Sequence, residues 1–392
     1  MPYVNPEVLV WARETAGLSK ADAAKALSIG GKKASGEELL TAYELGEKEL
    51  SRPLLVRMAK VYRRPLLTFY LPRPPAQADL GEDFRTLPDH LKQESSGLLT
   101  ALVRDIHVRK ELIKNALVDM EEARTLAFVG ELHSSTPAAE AAQLITKRLN
   151  FSLDEFRAKN RPEDAFSYTR HLVEDIGVFV LLAGNLGSHH TDIPVEVFRG
   201  FALSDDQAPF IVINDQDAPA ARSFTLLHEL AHIFLGATGI SGSDTSATIE
   251  RYCNDISSLI LLPAEELLNQ FWSADNEREL VRAVANFASE RNISGSLVAY
   301  RLFSAGVIDE PMWSKVSGEL RRLWLMQKAA KKQKAKEDTN SGPSYYVVKR
   351  YKLGHSLVDF VGRTVQEGIL TASKAGKILD VKPGNVYNLI GA

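Results

Sequence analysis

Two histidines four residues apart, His228 and His232, flank Glu229 inside an apolar run covering residues 224–235. Such a run reads as a buried helix. The i, i+4 spacing places both imidazoles on one helical face, where they can reach a single ion. Glu229 lies one residue round the helix and can take a proton from water held there. The chain has 9 histidines, so chance alone gives H-E-x-x-H in only about one such chain in a hundred. The competing reading is a helix with two exposed or paired histidines. It conflicts with the apolar setting, because burying unpaired imidazoles is costly.

A catalytic zinc takes three protein ligands and keeps one position open. Glu250 is the best third candidate. It opens a helix whose apolar positions are Ile249, Tyr252, Cys253, Ile256, Leu259 and Ile260, so its carboxylate needs a cationic partner. Asp244 and Asp255 are the rivals, Asp244 in a Ser- and Gly-rich loop and Asp255 facing away from Glu250. Asn254, four residues on from Glu250, is a candidate to orient a ligand. Cys253 could bind zinc, but its spacing puts it in the core stripe, where a structural thiol is expected. His189, His190 and Tyr252 are candidates by type for stabilising an oxyanion. The pair after Gly187 reads better as a polar loop.

Composition narrows the setting. At about 150 residues per domain, 392 residues imply two or three domains. Lys plus Arg is 47 and Asp plus Glu is 50, a formal net charge of -3. That excludes a chain-wide basic nucleic-acid binder and an acidic disordered tail protein. Cys253 is the single cysteine, so no internal disulfide forms. No apolar signal segment or bilayer-length run is visible, and a cytoplasmic protein without a membrane partner is expected.

The chain divides into blocks. Residues 1–72 read as a small all-helical unit, with Asn5 and Ser19 as helix caps and Pro6 at a first helical position. Residues 80–157 read as a helical connecting region. Residues 158–326 are mixed, with strands expected near 178–183, 197–203 and 210–214 and apolar helices near 220–235 and 248–260. Residues 327–344 read as a Lys-rich linker, solvated rather than bound to nucleic acid. Residues 345–392 form a small module with strand and helix character. The fold class is mainly α with a small β-sheet (α+β).

The residues around the metal candidates resemble the ImmA/IrrE metallopeptidases. The resemblance rests on residues 228–232, 250–254 and 261–263, and on residues 198–203, 208–209, 213–214 and 224–229 before or around them. Residues 83–87, 345–346 and 353–354 also look like the longer members that carry an N-terminal helix-turn-helix. The resemblance implies a thermolysin-like zincin (gluzincin-type) domain. It implies one zinc ion per chain held by His228, His232 and a glutamate, with Glu229 as general base. It further implies that a cleft strand, residues 197–203 with Phe198, Arg199, Gly200, Phe201 and Ala202, pairs with an extended substrate.

Residues 1–72 resemble an XRE-type helix-turn-helix. The resemblance rests on residues 11–13, 17–19, Ala24, residues 42–44, Gly46, Leu55, Ala59, Tyr62 and Pro65. The unit holds 11 Lys/Arg and 8 Asp/Glu, a net of +3. Lys32, Lys33, Thr41, Arg63 and Arg64 are the DNA-contact candidates. Against them stand the lengthened turn at residues 30–35 and a third helix with Glu37 and Glu38 but no Arg or Lys. A docking or dimerisation module that lost the groove chemistry is the competing reading.

The resemblance implies a zinc endopeptidase that cleaves a protein regulator, in particular a transcriptional repressor, in a stress-response or mobile-element switch. Operator DNA through residues 1–72, a toxin partner and a homodimer are compatible with it. The alternative is a DNA-binding regulator or antitoxin-like protein whose zincin domain docks a partner without cutting it. A small-substrate metalloamidase is a third, weaker reading, since the ion alone does not dictate peptide chemistry.

Overall fold

The structure is a computed structural model. It describes residues 3–31, 34–75, 94–188, 191–237, 244–273, 276–337 and 343–391. Lys32, Lys33, His189, His190 and the run 83–87 lie outside the described residues. The chain forms two compact units, Met1–Val108 with Gly184–Phe198, and Arg109–Ala183 with Arg199–Ala392.

The first unit opens with helices Pro6–Glu14, Lys20–Ala26, Gly36–Glu44 and Arg52–Val61, followed by a 3-10 turn at Leu66–Tyr70. Each helix starts on a side-chain cap that satisfies an orphan amide: Asn5, Ser19, Ser35 and Ser51. Ser35 and Glu38 form a full capping box, so Glu38 holds the helix start. Val8, Leu27, Leu40, Leu55, Met58 and Phe69 fill the core. Across it Arg13 Nε donates to Glu44 Oε1 at 2.6 Å and Nη2 to Oε2 at 3.2 Å.

The second unit is mainly helical around a three-stranded sheet. The strands are β1 (Phe179–Leu182), β2 (Gly200–Leu203) and β3 (Phe210–Ile213), in the order β1-β3-β2. β1 runs parallel to β3 with Phe179 beside Phe210. β2 runs antiparallel to it with Gly200 beside Ile213. Every residue of β1 and β3 is buried, as their unbroken apolar runs require. Helix Pro219–Phe234 packs on β2 and β3, and helix Asp244–Leu261 packs on that helix and on Ala138–Leu149. One core runs through all of them, from Ala141 and Phe156 to Leu226, Ile256 and Leu302.

Three expectations need correction. The strand expected at 197–203 begins only at Gly200. Val197 donates back to the Pro194 carbonyl at 3.0 Å, so the chain turns there. The Lys-rich segment expected to begin a linker at 327 continues the helix Glu310–Glu337. Ala, Lys and Gln are strong helix formers, and a charged face is no obstacle to a solvent-facing helix. The module after 344 has no strand among the described residues. Its elements are helices Tyr345–Leu353, His355–Gln366, Ala372–Leu379 and Val386–Ile390, with a 3-10 turn at Pro383–Asn385.

That module packs against β1, with the Phe360 ring 6.0 Å from Phe179. The buried Arg170 guanidinium ties the two together. It donates to the carbonyls of Tyr351, Lys352 and Val180, closing a helix end and an outward strand carbonyl at once. Among the described residues no helix is long and apolar enough to cross a membrane.

Candidate metal centre

Pro219 occupies the start of helix Pro219–Phe234, where its missing amide costs nothing. The helix then buries Leu226, Leu227, Leu230, Ala231, Ile233 and Phe234. This packing fixes the rotation that turns His228 and His232 toward helix Asp244–Leu261. Cys253 and Ile256 anchor that second helix in the core, and Glu250 lies one turn before Cys253.

The three side chains converge. Glu250 Oε2 is 3.0 Å from His228 Nε2, and Glu250 Oε1 is 3.2 Å from His232 Nε2. The two Nε2 atoms are 3.2 Å apart. Bonds of about 2.0–2.1 Å to a tetrahedral zinc set its ligand atoms about 3.3 Å apart. The trio matches that spacing with two imidazole nitrogens and one carboxylate, a set that suits zinc. His228, His232 and Glu250 form the one group able to hold a metal ion among the described residues.

Electrostatics agree with the geometry. Burial opposes ionisation of Glu250, yet hydrogen bonds from His228 and His232 outweigh it and hold its carboxyl well below the usual carboxylate range. Burial also opposes charging of His232, but Cys253, Glu250 and Glu229 raise its pKa to about 11. A proton and a divalent cation would compete for the same nitrogen. Burial pushes the Cys253 thiol up, so it stays protonated beside His232. Cys253, one turn beyond Glu250, is therefore part of the surroundings of the trio as well as of the core. Asn254 is half-buried on the same helix.

The rival ligands fall elsewhere. Asp255 accepts a hydrogen bond from the Tyr300 hydroxyl at 2.6 Å. The side chain of Asp244 lies outside what the structure describes. The Tyr252 hydroxyl sits beside Thr136 and Glu140.

Glu229 is 6% exposed and stands outside the trio, against β2. A Cβ at Gly200 would lie 2.7 Å from Thr225 Cγ2 and 3.0 Å from Glu229 Oε1, so a side chain at this close approach would have to displace its neighbours. The only sequence signal for it is a glycine at the start of an apolar strand. The register also sorts the main-chain groups of β2. Asn214 donates to the Arg199 carbonyl at 2.8 Å. Antiparallel alternation then turns Arg199, Phe201 and Leu203 toward β3, and Gly200 and Ala202 toward the outer edge. No strand covers that edge among the described residues. Phe198 precedes the strand in the turn that ends before Arg199.

Among the described DNA-contact candidates of the first unit, the Thr41 and Arg64 side chains have partners within the fold. The Arg64 guanidinium stacks 4.1 Å over the Trp11 ring and donates to Thr15 Oγ1 at 2.6 Å. Burial lowers the Arg63 pKa, and the Arg63 carbonyl accepts from Arg104 at 2.9 Å. Thr41 Oγ1 accepts from Lys20 at 3.2 Å.

No curated protein and no solved structure matches the chain. Residues 183–303 match the family model described as the IrrE N-terminal-like domain, Peptidase_M78. That span carries β2, β3, the two helices of the trio and Glu229, so the His-His-Glu cluster falls within the matched peptidase-family region, which supports the ImmA/IrrE resemblance.

Proposed function

We propose that the chain is a zinc-dependent endopeptidase, with one zinc ion per chain held by His228, His232 and Glu250. The observation that carries this reading is the convergence of two imidazole Nε2 atoms and both oxygens of one carboxylate at 3.0–3.2 Å. Zinc in that position would supply the positive charge that acidifies water and polarises a peptide carbonyl. Glu229 takes the proton from water as its oxygen adds to the carbonyl carbon. The same carboxyl returns that proton to the amide nitrogen as the C–N bond breaks, leaving a carboxylic acid, whose proton passes to the new amine to give a carboxylate and an ammonium group. The near-complete burial of Glu229 excludes bulk water from this transfer.

The outward main-chain groups of Gly200 and Ala202 suit an extended segment added to β2 as a further strand. Main-chain pairing of that kind selects a flexible stretch of protein over a small amide. A regulator with an exposed linker, such as a transcriptional repressor, is the substrate class this reading takes from the family resemblance.

The test works with an unidentified substrate. Cell extract is incubated with the wild-type chain or with Glu229→Gln, and new protein N-termini are sequenced. A small set of N-termini unique to the wild type is expected, while both proteins carry zinc. Identical N-termini in the two samples would refute the proposal.

A further inference from the structure

The peptidase reading leaves the C-terminal helices unexplained, and they contain a second compact helix pair. Helix Ala372–Leu379 buries Ala375, Gly376, Ile378 and Leu379 and ends at Asp380 in the left-handed conformation, φ 52° and ψ 52°. Val381 and Lys382 complete a tight turn, and the chain re-enters a helix through Pro383–Asn385 into Val386–Ile390. The Val381 amide donates to the Gly376 carbonyl at 2.9 Å. A Cβ at Gly376 would lie 2.8 Å from the Val381 carbonyl oxygen, so the glycine is what lets the turn close. Arg350 Nε donates to the Leu389 carbonyl at 3.1 Å and fixes the far end.

Two short helices joined by a tight turn and backed by a third, here His355–Gln366, form the arrangement that lays its second helix in a major groove. The second helix, Val386–Ile390, buries Val386 and Leu389 and exposes Tyr387 and Asn388. Asn388 donates to the Tyr346 hydroxyl at 3.1 Å, which sets its orientation. Lys374, Lys377 and Lys382 are exposed on the same helix pair. Asp380 is the one acid of residues 371–391, and Lys349 neutralises it at 2.7 Å. Residues 36–44, by contrast, carry Glu37, Glu38 and Glu44 and no cation.

We propose that residues 371–391 bind duplex DNA. Lys374 and Lys382 contact phosphates, and Tyr387 and Asn388 face base edges. Charge complementarity selects the occupant: exposed lysines with one neutralised acid around a polar helix face suit a polyanion.

The test uses the full-length chain and a mixed-sequence duplex, titrated between about 50 and 200 mM salt. Wild-type affinity should fall steeply with salt. Lys374→Gln with Lys382→Gln should reduce the magnitude of the slope of log K against log salt by about 1.8, about 0.9 for each lost phosphate contact. Both lysines are exposed, so the variant keeps its fold, checked by its melting temperature. Lys25→Gln with Lys60→Gln in the first unit should leave the slope unchanged. An unchanged slope in the Lys374 and Lys382 variant, no duplex binding at the lowest salt, or tighter binding to single-stranded RNA would each overturn the proposal.

Discussion

Gly200 lies directly against Glu229: a Cβ on its backbone would stand 3.0 Å from both Cγ and Oε1 of Glu229 and 2.7 Å from Thr225 Cγ2. The strand proposed to hold substrate and the carboxylate proposed to move the proton therefore touch. Gly200→Ala must push Glu229 or Thr225 aside. The relief needed at Glu229 is a few tenths of an ångström, short of the misplacement near 1 Å that costs about a hundredfold in rate. Cleavage by Gly200→Ala should fall by less than about a hundredfold with zinc content unchanged, read by metal analysis and initial rates on one sample. Wild-type cleavage rates would show that the contact does not position Glu229.

The helix Gly36–Glu44 is held to the first helix by the Arg13–Glu44 pair, whose side chains are 8% and 3% exposed. Removing one member strands a buried charge, which costs about 3–5 kcal/mol. Glu44→Ala should therefore raise amide hydrogen exchange across residues 36–44. Arg13→Met with Glu44→Leu should restore much of the protection, because it removes both charges and keeps the volume. Equal exchange in the single variant and the wild type would contradict a stabilising role for the pair.

The His355 imidazole is raised in pKa chiefly by its hydrogen bond to buried Glu174, with burial opposing and Asp175 and Asp359 adding to the rise. The His171 ring faces it edge-on at 4.5 Å, and Arg170 shares Glu174 at 3.1 Å. A raised folded pKa favours the folded state when the group is protonated. The contribution is complete below the unfolded value of about 6.5 and disappears as pH rises through the higher folded value. Thermal unfolding of wild type and His355→Gln should differ most in the acidic range and converge at alkaline pH. A constant gap would contradict this linkage.

The metal trio is legible in the sequence because it follows from local periodicity. His228 and His232 are neighbours on any helix, and Glu250 is conspicuous as a carboxylate on an otherwise apolar stripe. The approach of Gly200 to Glu229 is not legible there, since it depends on how a strand and a helix pack across about thirty residues of chain. Residues 345–348, two tyrosines and two valines, have strand propensity. Ser344 nonetheless caps a helix by accepting from the Val347 amide at 3.4 Å, and burial of Leu353 completes it. Tertiary packing overrides a weak local preference there. The lysines after 327 mislead for the opposite reason, because charge alone does not separate a solvated helix from a linker.

Zinc content of the purified full-length chain is the most direct test of the metal centre. Wild type and Glu229→Gln should each carry about one zinc per chain, because Glu229 stands outside the ligand set. His232→Ala and Glu250→Ala should lose it. Added zinc at about 100 times its dissociation constant should stabilise the metal-stripped wild type by about 2.7 kcal/mol and leave those two variants unaffected. Wild-type protein that binds no zinc, or full occupancy in both ligand variants, would contradict the assignment.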